Sequence, residues 1–373
     1  MEVKSIINSN RMSMKKLFFF FTFLVGLGIS SNVRAQMERS VMLTSANTLA
    51  SELGADVGKV TILKVSGSLG EADFKTMKEQ MAMLQVLDMS GVTELPMTKH
   101  WNGNVEEELQ SIPREAFQNK LTLQKVVFPR VLQRIDDYAF NGCSNLTEAD
   151  FSQATQLKQI RDYAFEECSG LKELDLSACA ALEEMLGAAF NQCSNLQTVD
   201  LSGCAKLVSI GEENNHGSVF WNCSSLRTVD LSGCSALTVI AESSFYSCEN
   251  LTTVNVDGCT ALETIEHGAF QNCEQLSGFD FSQLPALKVI DYSAFSYCAL
   301  AGDIVFASGI NQIGESAFAQ NNDITSLDFS NSTELTVVSS GTFAGCYRLK
   351  KVDFSDCSKL GALNIEAFLE CPA

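Results

Sequence analysis

Proline is scarce in this 373-residue chain, with 5 residues, and no low-complexity tract interrupts it, while hydrophobic residues make up 46% and aromatics 9%. That composition excludes disorder as the main state and supplies ample apolar material for a core. Basic residues are also few: 26 Lys and Arg stand against 45 Asp and Glu, a net charge of −19. Nucleic acid is a poor partner for such a charge. Histidine is rarer still. Only His100, His216 and His267 occur, none in a G-x-S-x-G, H-E-x-x-H or comparable setting, so catalysis has little to stand on and no catalytic residue or cofactor is expected. No apolar run approaches the roughly 20 residues needed to cross a bilayer, so no membrane span is expected.

The most apolar run, Leu17 to Ile29 (LFFFFTFLVGLGI), is 13 residues long, follows Met14-Lys15-Lys16 and precedes the small-residue cleavage site Val33-Arg34-Ala35. This is the pattern of a secretory signal peptide over residues 1–35, with Met14 as an alternative start. The chain is therefore expected to be exported, extracellular or at the cell surface. No Cys sits at the cleavage site, which argues against a lipoprotein anchor. Cleavage would leave 21 basic and 44 acidic residues, a net charge of −23. Anionic membranes are then disfavoured, and cationic proteins or divalent metal ions become the better-matched partners.

An Ala-Phe pair or a near variant recurs with Phe at 117, 140, 165, 190, 220, 245, 270, 295, 318, 343 and 368, in steps of 23, 25 or 30 residues. A period that short excludes helical-pair repeats and leaves one strand plus one return per unit. In the unit from Cys168 to Phe190, Leu171, Leu174 and Leu176 alternate with polar residues, Cys179 and Leu182 follow, and the pattern is close to LxxLxLxxCxL. Leu174 and Leu176 would turn inward from a short strand, with Glu173 and Asp175 outward. Stacked units then form a parallel sheet, and the Phe of a short helical or irregular return leg fills the interior. Units of this kind are stable only when stacked.

The segments Ile135 to Cys143 (IDDYAFNGC), Ile160 to Cys168 (IRDYAFEEC) and Ile265 to Cys273 (IEHGAFQNC) carry an I-xxx-AF-xx-C signature. From about Leu84 to Ala373 the chain resembles the BspA-like leucine-rich repeat surface proteins of bacteria. Fold and repeats together give an α/β repeat solenoid: a right-handed leucine-rich repeat with a concave parallel β-sheet over residues 84–373, about 11 to 12 units, behind an α+β cap at 36–83. Within that cap Val60 to Val65 reads as a strand and Phe74 to Met83 as an amphipathic helix. The enlarged return between Val92 and Gln110 reads as a solvated loop. After the last motif Phe nothing is expected to cover the final rung, so a homodimer through that C-terminal edge is a second, structural reading.

The 14 Cys fall in two columns, one after the motif Phe and one after the strand turn. They read as buried free thiols, although bridges between neighbouring rungs also fit the spacing. Zinc has no C-x-x-C pair to hold it, and no metal site is expected. Asp88, Asp150, Asp175, Asp200, Asp230, Asp280, Asp328 and Asp353 share one outward strand position, with Asn255 in the same column. One carboxylate per rung offers too few oxygens for calcium, and solubility alone would explain the column. The candidate contact surface joins the column members from Asp150 to Asp353 to the neighbouring Thr198, Thr228 and Thr253. The inserted GEENNHGS, Gly211 to Ser218, reads as a surface bulge, and His267 as a surface histidine. Resemblance to the family implies an adhesin that binds host extracellular matrix protein, such as fibronectin or fibrinogen, or other cells. A hydrolase would instead require His216 or His267 near an exposed thiol.

Overall fold

The computed structural model describes residues 36–102, 105–211 and 217–372. The signal-peptide reading of residues 1–35 lies outside them, as do His216 and most of the insertion around it. Within them each repeat winds as one turn of a parallel β-solenoid with little helix. In the unit beginning at Cys168, Leu171, Leu174, Leu176, Cys179 and Leu182 are all buried. Glu173–Asp175 is a three-residue strand whose outer residues are exposed, as the alternation of side chains along a strand requires. It pairs in parallel with Thr198–Asp200, which pairs with Thr228–Asp230, which pairs with Thr253–Asn255. Strands of this first sheet occupy three separate segments, 38–150, 173–255 and 301–353. A second sheet of 12 strands is built from the return legs. Most of its strands have two residues, such as Gln159–Ile160 and Val239–Ile240, and the motif Ile points into the core.

The return legs are irregular, not helical, and the reason lies in two left-handed residues per unit. Tyr138 and Gly142 have φ of 58° and 70°, Tyr163 and Glu167 both 57°. Away from glycine this conformation costs about 1 kcal/mol per residue. It swings successive amides in opposite directions: Tyr138, Phe140 and Gly142 donate to the carbonyls of Asp162, Ala164 and Glu166 one rung on, at 3.0, 2.7 and 2.8 Å. The intervening amides of Ala139, Asn141 and Cys143 close turns onto Asp136, Tyr138 and Phe140. A third column of inter-rung hydrogen bonds results, and it offsets the backbone cost.

Inside, the eleven motif Phe rings form one stacked column with centroid spacings from 4.9 to 5.5 Å. All fourteen Cys are free thiols, and all but Cys371 are buried. Sulfurs in both columns bond back to the preceding rung: Cys168 Sγ donates to Phe140 O at 3.2 Å, Cys193 to Phe165 O at 3.2 Å and Cys204 to Leu176 O at 3.3 Å. Asn321 takes the thiol's place in a 23-residue unit, donating to Phe295 O and Phe318 O and accepting from Leu300 N–H.

Toward the N-terminus the strand expected at Val60 to Val65 forms over Ile62–Ser68, and the helix expected from Phe74 to Met83 runs over Glu71–Glu79. Its start is fixed by the buried Asp73 carboxylate, which accepts from Asn47, Leu49 and Gly70 N–H. At its end Lys120, where later units carry Cys, donates to Lys78 O and Met81 O. The Lys78 carbonyl is among those a helix leaves unpaired in its last turn. Phe74 meets Phe117 edge-on at 5.9 Å, tying the helix to the first ring of the column. Glu38–Leu43 adds a further parallel strand beside Ile62–Ser68, so the first sheet already runs through the segment read as a cap.

The solvated loop expected between Val92 and Gln110 is instead an antiparallel hairpin, Met97–Asn102 with Val105–Ile112, which begins the second sheet. The acidic run Glu106 to Glu108 masks the strand pairing in the sequence, yet Lys99 faces Glu108 across the ladder. Beneath it the buried Arg134 pairs with Asp136 and donates to Thr98, while Ser111 Oγ donates to Asp136 Oδ2. Lys158 Nζ reaches Glu107 at 2.7 Å.

Candidate functional site

The candidate contact residues other than Asp280 lie on outer positions of the first sheet, and its breaks divide them into groups. The central group is in continuous register, with Asp175, Asp200, Asp230 and Asn255 in one column and Thr198, Thr228 and Thr253 in the next. All three Thr are exposed. Asp150 ends the preceding segment, and Asp328 pairs with Asp353 in the last one. Asp280 leaves the sheet altogether and starts a 3-10 turn at Phe281–Gln283.

The Asp column has a structural cause beyond solubility. In the D-x-S sequences of this column the Asp Oδ1 accepts the Ser N–H two residues on, at 2.9 Å for Asp150, 3.0 Å for Asp175, 2.9 Å for Asp200 and Asp230, and 2.8 Å for Asp328. Asp280 and Asp353 make the same bond. This Asx turn reverses the chain after each strand. Asn255 makes it too, to Asp257 N–H at 3.1 Å, and its Nδ2 donates to Asp230 Oδ1 at 3.1 Å. Hydrogen bonds from Ser330 hold the Asp328 carboxyl below its ordinary range, and those from Ser355 do so for Asp353, so both stay anionic at neutral pH.

Two clefts open where the first sheet is interrupted. One, of about 440 Å³, lies between residues 147–152 and Lys172, Glu173 and Asp175. The larger, of about 680 Å³, separates the Thr253–Asn255 strand from Ala301–Val305. Its origin is local sequence. Gly278 stands in the Thr column and joins Thr253 through a single bridge, and a Cβ there would lie 3.0 Å from the Thr253 hydroxyl. Phe279 stands in a column of Leu and Val, where it packs on Phe270, Phe281 and Phe295 at 5.5, 4.7 and 5.0 Å. The larger ring leaves the strand unable to close on its neighbours. The larger cleft escaped sequence reasoning, although Gly-Phe in place of Thr-Val was its visible signal.

Elsewhere the chemistry is thin. His267 is half exposed, 3.7 Å from Glu242 and edge-on to Tyr292. Burial pushes the thiols of Cys143, Cys179 and Cys248 up to about 12, which keeps them protonated and poorly nucleophilic at neutral pH. Among the described residues no group of three or more His, Cys, Asp or Glu could hold a metal ion, and no helix is long and apolar enough to cross a membrane.

Comparison with known proteins accords with this geometry. A family profile described as BspA type leucine rich repeat region matches in six copies, over residues 110–228, 207–300 and 238–373. Among solved structures, a leucine-rich repeat protein from Bacteroides ovatus ATCC 8483 is similar at 21% identity, over 74% of this chain and 73% of that one, with a TM-score of 0.51, a likeness of fold. A leucine rich cell surface protein from Faecalibacterium prausnitzii A2-165 is similar at 19% identity over 74% of this chain and 89% of that one, TM-score 0.28. The T. pallidum leucine rich repeat protein is similar at 22% over 51% and 77%, TM-score 0.39. No curated protein matches the chain. Because the matched copies span more than half of its length, in the same units that carry the Phe and Cys columns, the chain belongs to the BspA-type leucine-rich repeat family.

Proposed function

We propose that the protein is an exported, cell-surface adhesin that binds an extracellular matrix protein, such as fibronectin or fibrinogen, through the Asp/Thr face of its first sheet. The observation that carries this is the in-register pair of columns, exposed Thr beside Asp, across the 173–255 segment. The Asx turns fix each carboxylate through Oδ1, so the face presents ordered negative charge at little further entropic cost on binding. An acidic surface attracts basic partner segments and steers their approach. The leucine-rich repeat scaffold, with its buried, protonated thiols and a half-exposed His267 beside Glu242, supports binding over catalysis.

The test is capture of soluble fibronectin and fibrinogen by the full chain and by the combined variant Asp175→Asn, Asp200→Asn, Asp230→Asn. Asparagine keeps the turn, as Asn255 does natively, so Tm should stay within a few degrees while affinity falls about tenfold or more and loses its salt dependence. Unchanged capture by the variant would remove this face from the proposal, and absence of capture by the wild-type chain would remove these ligands.

A further inference from the structure

The 680 Å³ cleft is more than a gap between turns, because part of the backbone on both sides of it lacks the bond to the next rung that intact units make. In intact units a hydrogen bond closes each strand onto the next: Leu201 N–H donates to Asp230 O and Leu231 N–H to Asn255 O, both at 2.8 Å. At the cleft the series stops. Val254 N–H still reaches Gly278 O at 2.9 Å, but no backbone bond joins Val256 to Asp280 or Phe281 to Val305. Beyond it Ala301–Val305 is five residues long and, among the described residues, is paired through its ladder only with Asp323–Asp328. Such an edge is what an added strand recognises.

The side chains around the opening are of one sign. Asp257, Asp280 and Asp303 line it together with Asn255 and Ser277. Asp303 accepts from Thr325 Oγ1 and Ser326 Oγ, which hold its carboxyl below the ordinary range. Asp280 is pinned by Ser282. Val305, 38% exposed, adds an apolar side chain to the lining.

We propose that this cleft is a strand-addition site for an extended peptide segment bearing Lys or Arg, its main chain running along the open edge of Ala301–Val305 and its cation set among Asp257, Asp280 and Asp303. The inference rests on the reading of the first-sheet face as a protein-binding surface and gives it a point of attachment. The occupant is basic because the lining is acidic. It is extended because only an extended chain offers main-chain donors and acceptors at the spacing of a strand. A second copy of this chain is a poorer fit, since its own net charge is −19.

The experiment uses the full chain and labelled short peptides in fluorescence anisotropy: alternating Lys and Val, the same peptide N-methylated at alternate amides, and alternating Glu and Val. The Lys peptide should bind, N-methylation should weaken it about tenfold through lost main-chain bonds, and the Glu peptide should fail to bind. Asp257→Lys, at an exposed carboxylate outside the turn hydrogen bonds, should abolish binding of the Lys peptide. Gly278→Thr should do so by restoring the Thr column, and Asp257→Lys stands alone if that variant does not fold. Equal binding of the N-methylated peptide, or retention by Asp257→Lys, would overturn the strand-addition site. Peptide failure with intact capture of matrix protein would sink this inference alone. Loss of matrix capture in the Asp175, Asp200 and Asp230 variant with peptide binding intact would support the cleft as a separate contact.

Discussion

At the scale of single residues, the periodic positions were legible and their roles only partly so. Buried Phe and Cys columns follow from spacing alone, because a residue that recurs once per turn must meet its own copy in the next. What spacing could not show is that thiols such as Cys193 bond to a carbonyl one rung back, or that Asp is kept for a turn which Asn255 serves equally well. The thiols have a consequence for stability. Burial pushes Cys143, Cys179, Cys248 and Cys259 up to about 12, whereas thiols of the unfolded chain ionise near 8.5. Above about pH 9 the unfolded state therefore releases protons that the native state retains, and stability falls as pH rises toward the folded values. With reductant present, the urea midpoint should hold steady from pH 7 to 8 and decline between about pH 9 and 11; a flat midpoint over that interval would contradict the buried-thiol columns.

Among elements, the three-residue strands were readable because L-x-L alternation has a period of two, whereas the return legs were not. Their order depends on left-handed residues such as Tyr138, Tyr163 and Ser243, types that give no sequence signal for positive φ. The hairpin at Met97–Asn102 was hidden for a different reason: its cross-strand Lys99 and Glu108 look like a solvated charge run until the pairing is known. Asn321 shows how one element replaces another's chemistry. The 23-residue unit has no thiol at that point, and the amide serves Leu300 N–H, Phe295 O and Phe318 O at once, with no exposure to solvent. Asn321→Ala strands the buried Leu300 N–H and Phe295 O, leaves Phe318 O only the Cys346 thiol, and should cost about 3 kcal/mol. Asn321→Cys should fall between that variant and wild type, since a thiol at this position supplies one donor to the Phe295 carbonyl, as Cys298 does to Phe270. Guanidinium denaturation of the three proteins checks the order, and equal midpoints for Ala and Cys would mean the thiol column adds nothing there.

Across the whole of residues 36–372 the stability is that of a one-dimensional stack, in which each rung touches chiefly its neighbours. Phe245 sits mid-column, between Phe220 at 5.2 Å and Phe270 at 5.0 Å, and is fully buried. Its carbonyl also accepts from Cys273 and its amide donates to Ala269 O, so side-chain and main-chain ladders pass through the same residue. Truncation leaves a cavity that two rigid neighbours cannot fill by collapsing along the axis, because the main-chain ladders fix the rung spacing. Phe245→Ala should therefore cost about 3–5 kcal/mol. In a compact domain with one cooperative transition, that loss would be shared by every amide. In a stack it concentrates around the weakened interface, so hydrogen exchange should accelerate most for amides of the rungs carrying Phe220, Phe245 and Phe270 and least for the strand Ile62–Ser68. Phe368, only partly buried with one ring neighbour at 5.5 Å, is the comparison: its replacement by Ala should cost less and leave the central rungs protected. A uniform loss of protection from Phe245→Ala would show that the rungs are coupled far beyond their neighbours.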